Sequence, residues 1–238
     1  MSSINSKIVV ALDFEDKVQL HNLIAKLDPN HCRLKIGITL FTHYGPQWIK
    51  ELQQKGFDIF LDLKFHDIPQ QVSGACFEAA NLGVWMMNVH ALGGSAMLKA
   101  AREAVDRAAK TLARKPLLIG VTLLTSSGEA EMAQLGLKGS IDETVLRLAN
   151  LCSEAGLDGV VCSAKEVALL KKQFGPNFLC VTPGIRLAED NKHDQQRVMT
   201  PELAVKQGSD YLVIGRSITH AHAPQSVLTQ INESIQAL

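Results

Sequence analysis

The 238-residue chain is 46% hydrophobic and 20% charged, and its 24 Lys and Arg residues balance 24 Asp and Glu residues. A net charge of zero gives no support for a nucleic-acid or membrane surface built on overall basicity, so any anion site must be local. No apolar run reaches the roughly 18 residues of a membrane span, the N-terminus lacks a signal-peptide pattern, and the five scattered cysteines favour a reducing, cytoplasmic compartment over a disulfide or zinc framework.

Short apolar runs recur along the chain, each long enough for a β-strand that is buried on both faces, as in a parallel sheet. The eight runs are 8–12, 33–36, 58–63, 84–89, 117–123, 159–162, 177–181 and 211–214. Eight strands alternating with helices in about 240 residues predict an α/β fold, a (β/α)8 TIM barrel forming one domain over residues 1–238. A doubly wound sheet is the main alternative, but it would normally show G-x-G-x-x-G after the first strand, and none follows Leu12.

Apolar residues at helical spacing lie between these runs and predict helices that face the core. The stripes are Phe41, Tyr44, Trp48, Ile49 and Leu52; Leu98, Ala101, Val105 and Leu112; and Val145, Leu148, Ala149 and Cys152. Four glycines just before strands, Gly56, Gly83, Gly156 and Gly208, are typical of helix C-termini. The polar stretch 187–199 follows the seventh strand and is predicted to form a loop over the active-site face.

Polar residues recur where the predicted strands end, which is where barrel enzymes carry their catalytic groups. In strand order they are Asp13; Lys35; Asp62, Lys64, His66 and Asp67; Asn88 and His90; Thr122, Thr125, Ser126 and Ser127; Ser163; Thr182 and Arg186; and Arg216 and Ser217. The segment 61–69 is the densest. Asp62 and Lys64 should share one face of the third strand, because side chains alternate along a strand.

Lys35, Asp62, Lys64 and Asp67 form an alternating charge set on neighbouring strands. They could be a buried ion-pair network or an acid–base site with a lysine as proton donor, and the cost of desolvating four charges favours a function. Asp62, His66 and Asp67 could hold a divalent metal, but the ammonium of Lys64 already supplies the counter-charge, so we expect no metal.

The histidines near strand ends support no metal site either. We expect His90 to be a hydrogen-bonded residue behind the site rather than a ligand. His220 and His222 resemble a metal pair but fall in a segment that is predicted to be exposed.

The ends of the last two strands indicate a phosphate site. Gly184 and Gly215 permit close backbone approach, and Arg186 and Arg216 supply guanidinium groups. Residues 215–219 could open a short helix whose N–H groups face an anion, as in many barrels after strands seven and eight.

Taken together, these motifs resemble the orotidine 5′-phosphate decarboxylase family from end to end. The matching segments are Val10-Ala11-Leu12-Asp13, Leu34-Lys35-Ile36-Gly37, Leu61-Asp62-Leu63-Lys64-Phe65-His66-Asp67-Ile68-Pro69, Asn88-Val89-His90-Ala91, Val121-Thr122-Leu123-Leu124-Thr125-Ser126, Thr182-Pro183-Gly184-Ile185-Arg186 and Val213-Ile214-Gly215-Arg216-Ser217-Ile218. The resemblance implies decarboxylation of orotidine 5′-monophosphate (OMP) to UMP, the last step of de novo pyrimidine synthesis, through a C6 carbanion. It implies no metal or organic cofactor and a homodimer with shared active sites.

The resemblance also implies roles for particular residues. Lys64 would be the proton donor, and Lys35, Asp62 and Asp67 would complete the charged array, with Asp67 and Ile68 reaching the partner subunit's site. The ribose and base would be held by Asp13, Lys35, Asp67 and Thr125, with Ser126 or Ser127 on the pyrimidine and Pro183 nearby. The phosphate would be held by Arg186, Gln195, Gly215 and Arg216.

Two alternatives remain open. A related barrel enzyme acting on a sugar phosphate, such as a 3-keto-gulonate-phosphate decarboxylase, shares an Asp-x-Lys-x-x-Asp core but uses Mg²⁺ and an enediolate; the continuation 64–69 and the segment 125–127 favour the nucleotide. A non-catalytic nucleotide-binding protein would need the phosphate residues but neither Asp62 nor Lys64.

Overall fold

The computed structural model describes residues 6–14, 16–187 and 199–238, and in them eight parallel strands close into a barrel. The strands are β1 (Ile8–Leu12), β2 (Arg33–Gly37), β3 (Ile59–Phe65), β4 (Met86–His90), β5 (Leu117–Val121), β6 (Gly159–Val161), β7 (Leu179–Thr182) and β8 (Tyr211–Ile214). Each pairs with its neighbours in sequence, and β1 pairs with β8 to close the ring. The predicted (β/α)8 barrel is confirmed, and the strand bounds differ from the predicted ones by no more than two residues.

Helices follow every strand and surround the barrel. They are α1 (Lys17–Ile24), α2 (Ile38–Gln54), α3 (Pro69–Asn81), α4 (Gly94–Ala109), α5 (Glu129–Gln134), α6 (Ile141–Glu154), α7 (Val167–Phe174), α8 (Pro201–Lys206), α9 (Arg216–Thr219) and α10 (Pro224–Gln236). Two predicted stripes need correction. Gly45, with φ +67°, breaks α2 before Pro46, and Leu112 lies beyond the end of α4 although it packs against the core.

The apolar side chains form two separate clusters, because those of each strand point alternately inward and outward. The outward-facing residues pack under the helices in one large core. The inward-facing cluster fills the barrel with Val9, Ala11, Phe60, Trp85, Met86, Ile119, Val181 and Val213. The barrel is therefore a packed core with space for a ligand only at its ends.

A buried arginine closes the amino-terminal end of the barrel. The guanidinium of Arg33 lies over the rings of Trp85 and Tyr211, 4.2 and 5.3 Å from their centroids. It also lies 3.5 Å from the Asp58 carboxylate and donates a hydrogen bond to the carbonyl of Ser6. An arginine suits this position because it remains charged when it stacks on aromatic faces.

Two aspartates link neighbouring strands at the same end. Asp158 and Asp210 each follow a helix-ending glycine by two residues, and each accepts a backbone N–H from the preceding strand, from Leu118 and Cys180 respectively, at 2.7 Å. Lys171 lies 2.7 Å from the Asp210 carboxylate. The charges at this end therefore have structural partners.

In the described part of the chain, no helix is both long enough and apolar enough to cross a membrane.

Candidate active site

A cavity of about 460 Å³ opens at the carboxyl-terminal end of the barrel, a size typical of small-ligand sites. The predicted site residues that line it are Asp13, Lys35, Asp62, Lys64, Thr125, Ser126, Pro183, Arg186, Gly215 and Arg216. They come from the ends of β1, β2, β3, β5, β7 and β8. The barrel's parallel strands thus bring together residues as far apart in the sequence as Asp13 and Arg216.

Four of these residues form a continuous chain of charges. Lys35 Nζ lies 3.3 Å from an Asp13 oxygen and 3.1 Å from Asp62 Oδ2. Asp62 Oδ1 accepts a hydrogen bond from Lys64 Nζ at 2.7 Å. The side chains of Lys35 and Asp62 are 10% and 11% exposed, whereas that of Lys64 is 38% exposed and can meet both a ligand and solvent.

The buried pair at the centre of this chain is held in its charged form. Burial alone would raise the pKa of Asp62, but Lys35 and Lys64 outweigh it and hold that pKa below its usual range. Burial would lower the pKa of Lys35, but Asp62 and Asp13 raise it above the ordinary value of a lysine. Each charge therefore depends on the other, and the pair stays ionised at neutral pH.

The backbone of β3 is irregular where it carries these residues. Asp62 and Lys64 share the inner face, as predicted, but the pairing of β3 with β4 shifts between Leu61 and Phe65. Among the described residues, Lys64 is the only one besides glycines with a positive φ, at +50°. A left-handed backbone at a lysine is unfavourable, and such strain concentrates at functional sites.

Asp67 and Ile68 lie on the loop after β3 and do not line this subunit's cavity. Asp67 Oδ1 accepts the N–H of Ile68 at 2.6 Å, and the Ile68 side chain is 62% exposed. The ion pairs that join Asp13, Lys35, Asp62 and Lys64 in this subunit therefore do not include Asp67. Gln195, and the predicted loop 187–199 apart from its two ends, lie outside the described residues.

The phosphate residues predicted at the last two strands line one side of the cavity. Arg186 follows β7, and Arg216 is the first residue of α9, which begins after Gly215 as predicted. Sequence reasoning missed Thr219 and His220 at the end of this helix, although both line the cavity. Helical spacing from Arg216 could have indicated them, since residues three and four positions along a helix share a face.

The two histidines near Lys64 stack on each other. The rings of His66 and His90 lie 5.4 Å apart and 28° from parallel. Burial, together with His66 and Lys64, lowers the pKa of His90. Its Nδ1 atom is buried without a hydrogen-bond partner in the described part of the protein, so the expectation of a hydrogen-bonded His90 is wrong at that atom. Within residues 6–14, 16–187 and 199–238, no group of three His, Cys, Asp or Glu side chains could hold a metal ion.

Comparison with known proteins gives the same family as the motifs. The family profile described as "Orotidine 5'-phosphate decarboxylase / HUMPS family" matches residues 6–231. The chain is 56% identical over 225 residues to an orotidine 5′-phosphate decarboxylase of Legionella pneumophila (strain Corby), covering 94% of this chain and 97% of that one. It is 52% identical over 236 residues to the protein of that name from Coxiella burnetii (strain RSA 331 / Henzerling II), covering 99% of both. The crystal structure of orotidine 5′-phosphate decarboxylase from Lactobacillus acidophilus matches with a TM-score of 0.84 and 39% identity, covering 96% of this chain and 98% of that one.

Proposed function

Because the chain belongs to the orotidine 5′-phosphate decarboxylase / HUMPS family, we propose that it converts OMP to UMP and CO2 in pyrimidine biosynthesis. The observation that carries this proposal is the chain of charges Asp13, Lys35, Asp62 and Lys64 at the end of a cavity that also contains two arginines. A binding protein would need the arginines, but it would gain nothing from two buried, mutually dependent charges beside them.

In the proposed reaction, the bond between C6 and the carboxylate breaks and its electron pair stays on C6. The Lys64 ammonium stabilises this charge and then donates its proton to C6, so that OMP and one proton give UMP and CO2. Because Lys64 is partly exposed, it can recover a proton from water. Asp62, close to the departing carboxylate, favours its loss, and Lys35 keeps Asp62 ionised.

The remaining cavity residues divide into two binding regions. We assign the ribose and pyrimidine to Asp13, Lys35, Thr125, Pro183 and Ser126, preferring Ser126 because it lines the cavity and Ser127 does not. We assign the phosphate to Arg186, Gly215 and Arg216, together with Gln195. Arginine suits this role because its guanidinium can donate two parallel hydrogen bonds to a phosphate. Phosphate binding far from C6 can then contribute to catalysis.

The active enzyme would be a homodimer in which Asp67 and Ile68 complete the partner's site. Three exposed apolar side chains outside the cavity support this interface: Ile38, Ile68 and Leu92. They follow the neighbouring strands β2, β3 and β4, so they lie at the barrel end that carries the cavity. Clustered exposed apolar residues on one face are typical of a protein interface. The five cysteines are all free and buried, which supports the proposed cytoplasmic location.

One spectrophotometric assay tests this function. Purified protein is given OMP with and without a chelator, and separately 3-keto-gulonate phosphate with Mg²⁺. We expect OMP loss that the chelator does not change, because Lys35 and Lys64 already provide the positive charge that a cation would bring. OMP turnover that disappears with the chelator and returns with Mg²⁺ would contradict metal independence. Turnover of the sugar phosphate alone would instead place the protein in the other branch of the family.

A further inference from the structure

The ladder between β3 and β4 is interrupted beside the charged chain. Leu61 pairs with Met87 and Phe65 pairs with Val89. Three residues of β3 therefore stand opposite a single residue of β4, Asn88. A strand with extra residues loses ladder hydrogen bonds at that point, and the backbone groups that lose them need other partners.

The side chain of Asn88 takes over this bonding. Its Oδ1 accepts the backbone N–H of Lys64 at 2.8 Å, and its Nδ2 donates to Asp62 Oδ1 at 2.7 Å. Asn88 is fully buried and does not line the cavity. One amide thus holds the backbone of one charged residue and the carboxylate of the other.

These bonds determine how the Asp62 carboxylate is oriented. Asp62 Oδ1 receives both Asn88 Nδ2 and Lys64 Nζ, while Oδ2 faces Lys35 Nζ at 3.1 Å. The two lysines alone could hold a carboxylate in several orientations, because each sits at the end of a long flexible stem. The short, rigid amide of Asn88 is the donor whose position is fixed by the sheet.

We propose that Asn88 is a positioning residue for decarboxylation, which holds Lys64 in its left-handed backbone conformation and sets the Asp62 carboxylate toward the reacting carbon. This inference rests on the proposed function. Asparagine suits the position because one side of its amide accepts and the other donates. Aspartate keeps the acceptor but loses the donor, and alanine loses both.

The test compares Asn88→Ala and Asn88→Asp with wild type in steady-state OMP decarboxylation. Misplacing a catalytic group by about 1 Å costs about a hundredfold in rate, so we expect kcat to fall by roughly that factor in both variants. The phosphate residues are on other strands, so KM and the Kd of UMP measured by calorimetry should change by no more than about threefold. The same calorimetry counts the sites that bind UMP, and kcat is calculated per such site. Loss of folded protein alone would then leave kcat unchanged, so a fall in kcat without a change in KM or in UMP binding indicates a positioning defect.

A matched control separates positioning from general stability. Asn232 is another buried asparagine, but it lies on α10; its amide accepts from Ser6 Oγ and donates to the carbonyls of His31 and Leu228, none of which lines the cavity. Asn232→Ala should lower stability in urea unfolding but leave kcat within about twofold of wild type, since a lost hydrogen bond away from the site removes no transition-state interaction.

Each remaining outcome is decisive. Asn88 variants with unchanged kcat beside an active wild type would overturn the positioning role and leave the proposed function standing. Failure of both Asn88 variants to unfold cooperatively would assign the residue to the fold and also overturn the role. A wild-type protein that does not turn over OMP would overturn the proposed function and this inference with it.

Discussion

Replacing Lys64 by alanine and by glycine separates its chemical role from its backbone strain. Both changes remove the proposed proton donor, so both should abolish most of the turnover. They differ in the backbone, because Lys64 has a φ of +50°, which glycine adopts readily and alanine does not. We therefore predict that the two variants are similarly inactive but that Lys64→Gly is the more stable of the two.

The size of the difference follows from two opposing contributions. A left-handed conformation costs a residue with a Cβ atom about 1–2 kcal/mol, whereas glycine loses about 0.4–1 kcal/mol more than alanine in unfolded-state entropy. Taking the middle of each range, Lys64→Gly should be more stable than Lys64→Ala by about 0.8 kcal/mol. Loss of the partly exposed ion pair with Asp62 destabilises both variants by about 1 kcal/mol or less, and Asp62 keeps Lys35 and Asn88 as partners.

Urea unfolding measures the stability, and OMP decarboxylation with UMP calorimetry measures the function. The neighbouring Leu63 is the control, because its φ is not positive. There, the glycine variant should be less stable than the alanine variant by about 0.5–1 kcal/mol. A Lys64→Ala protein that is more stable than Lys64→Gly, by the amount found at Leu63, would refute the strained backbone. Turnover within about tenfold of wild type, a barrier change near 1.4 kcal/mol, would refute the proton-donor role, since a general acid typically contributes about a hundredfold or more.

Two further predictions concern the phosphate and the dimer. Arg216→Ala should reduce turnover of OMP strongly but barely change the rate with the nucleoside that lacks the phosphate, and equal losses on both substrates would indicate a folding defect. Mixing inactive Lys64→Ala and Asp67→Ala proteins should restore some activity, because one site of each heterodimer carries both lesions and the other carries none. If subunit exchange is verified and no activity returns, Asp67 acts within its own subunit.

The fold could be predicted from the sequence because each strand carries its own local signal. Runs that are apolar on both faces and ended by polar residues mark the eight parallel strands, and a helix-ending glycine also precedes β3, β4, β6 and β8. The helices were predicted less well. The apolar stripe through Tyr44 and Trp48 continued across Gly45 and Pro46, although a Gly-Pro pair is a signal that a helix breaks. Leu112 packs against the core from outside α4, so burial alone did not make it helical.

The parts of the site that are formed by residues at strand ends could be predicted from the sequence, whereas the parts that depend on how two strands pair could not. Asp62 and Lys64 follow from their spacing on one strand. The contacts of Asn88 depend on the register shift between β3 and β4, which no local pattern reveals. The left-handed backbone of Lys64 was also unpredictable, because the residue type argues against that conformation. At the other end of the barrel, Asp158 and Asp210 each follow a glycine by two residues. This Gly-x-Asp pattern is visible in the sequence, so the role of these two aspartates could have been predicted.

The charge balance of the site gives a further reason for the proposed chemistry. Lys35 and Lys64 balance Asp13 and Asp62, so the chain of charges is neutral before a substrate binds. A substrate carboxylate beside Asp62 adds one negative charge in a place that burial makes expensive. In the proposed mechanism CO2 leaves without charge, so the negative charge would move to C6, beside the Lys64 ammonium that can neutralise it. The same four side chains would then interact less favourably with the reactant carboxylate than with the carbanion, and a difference of this kind accelerates a reaction.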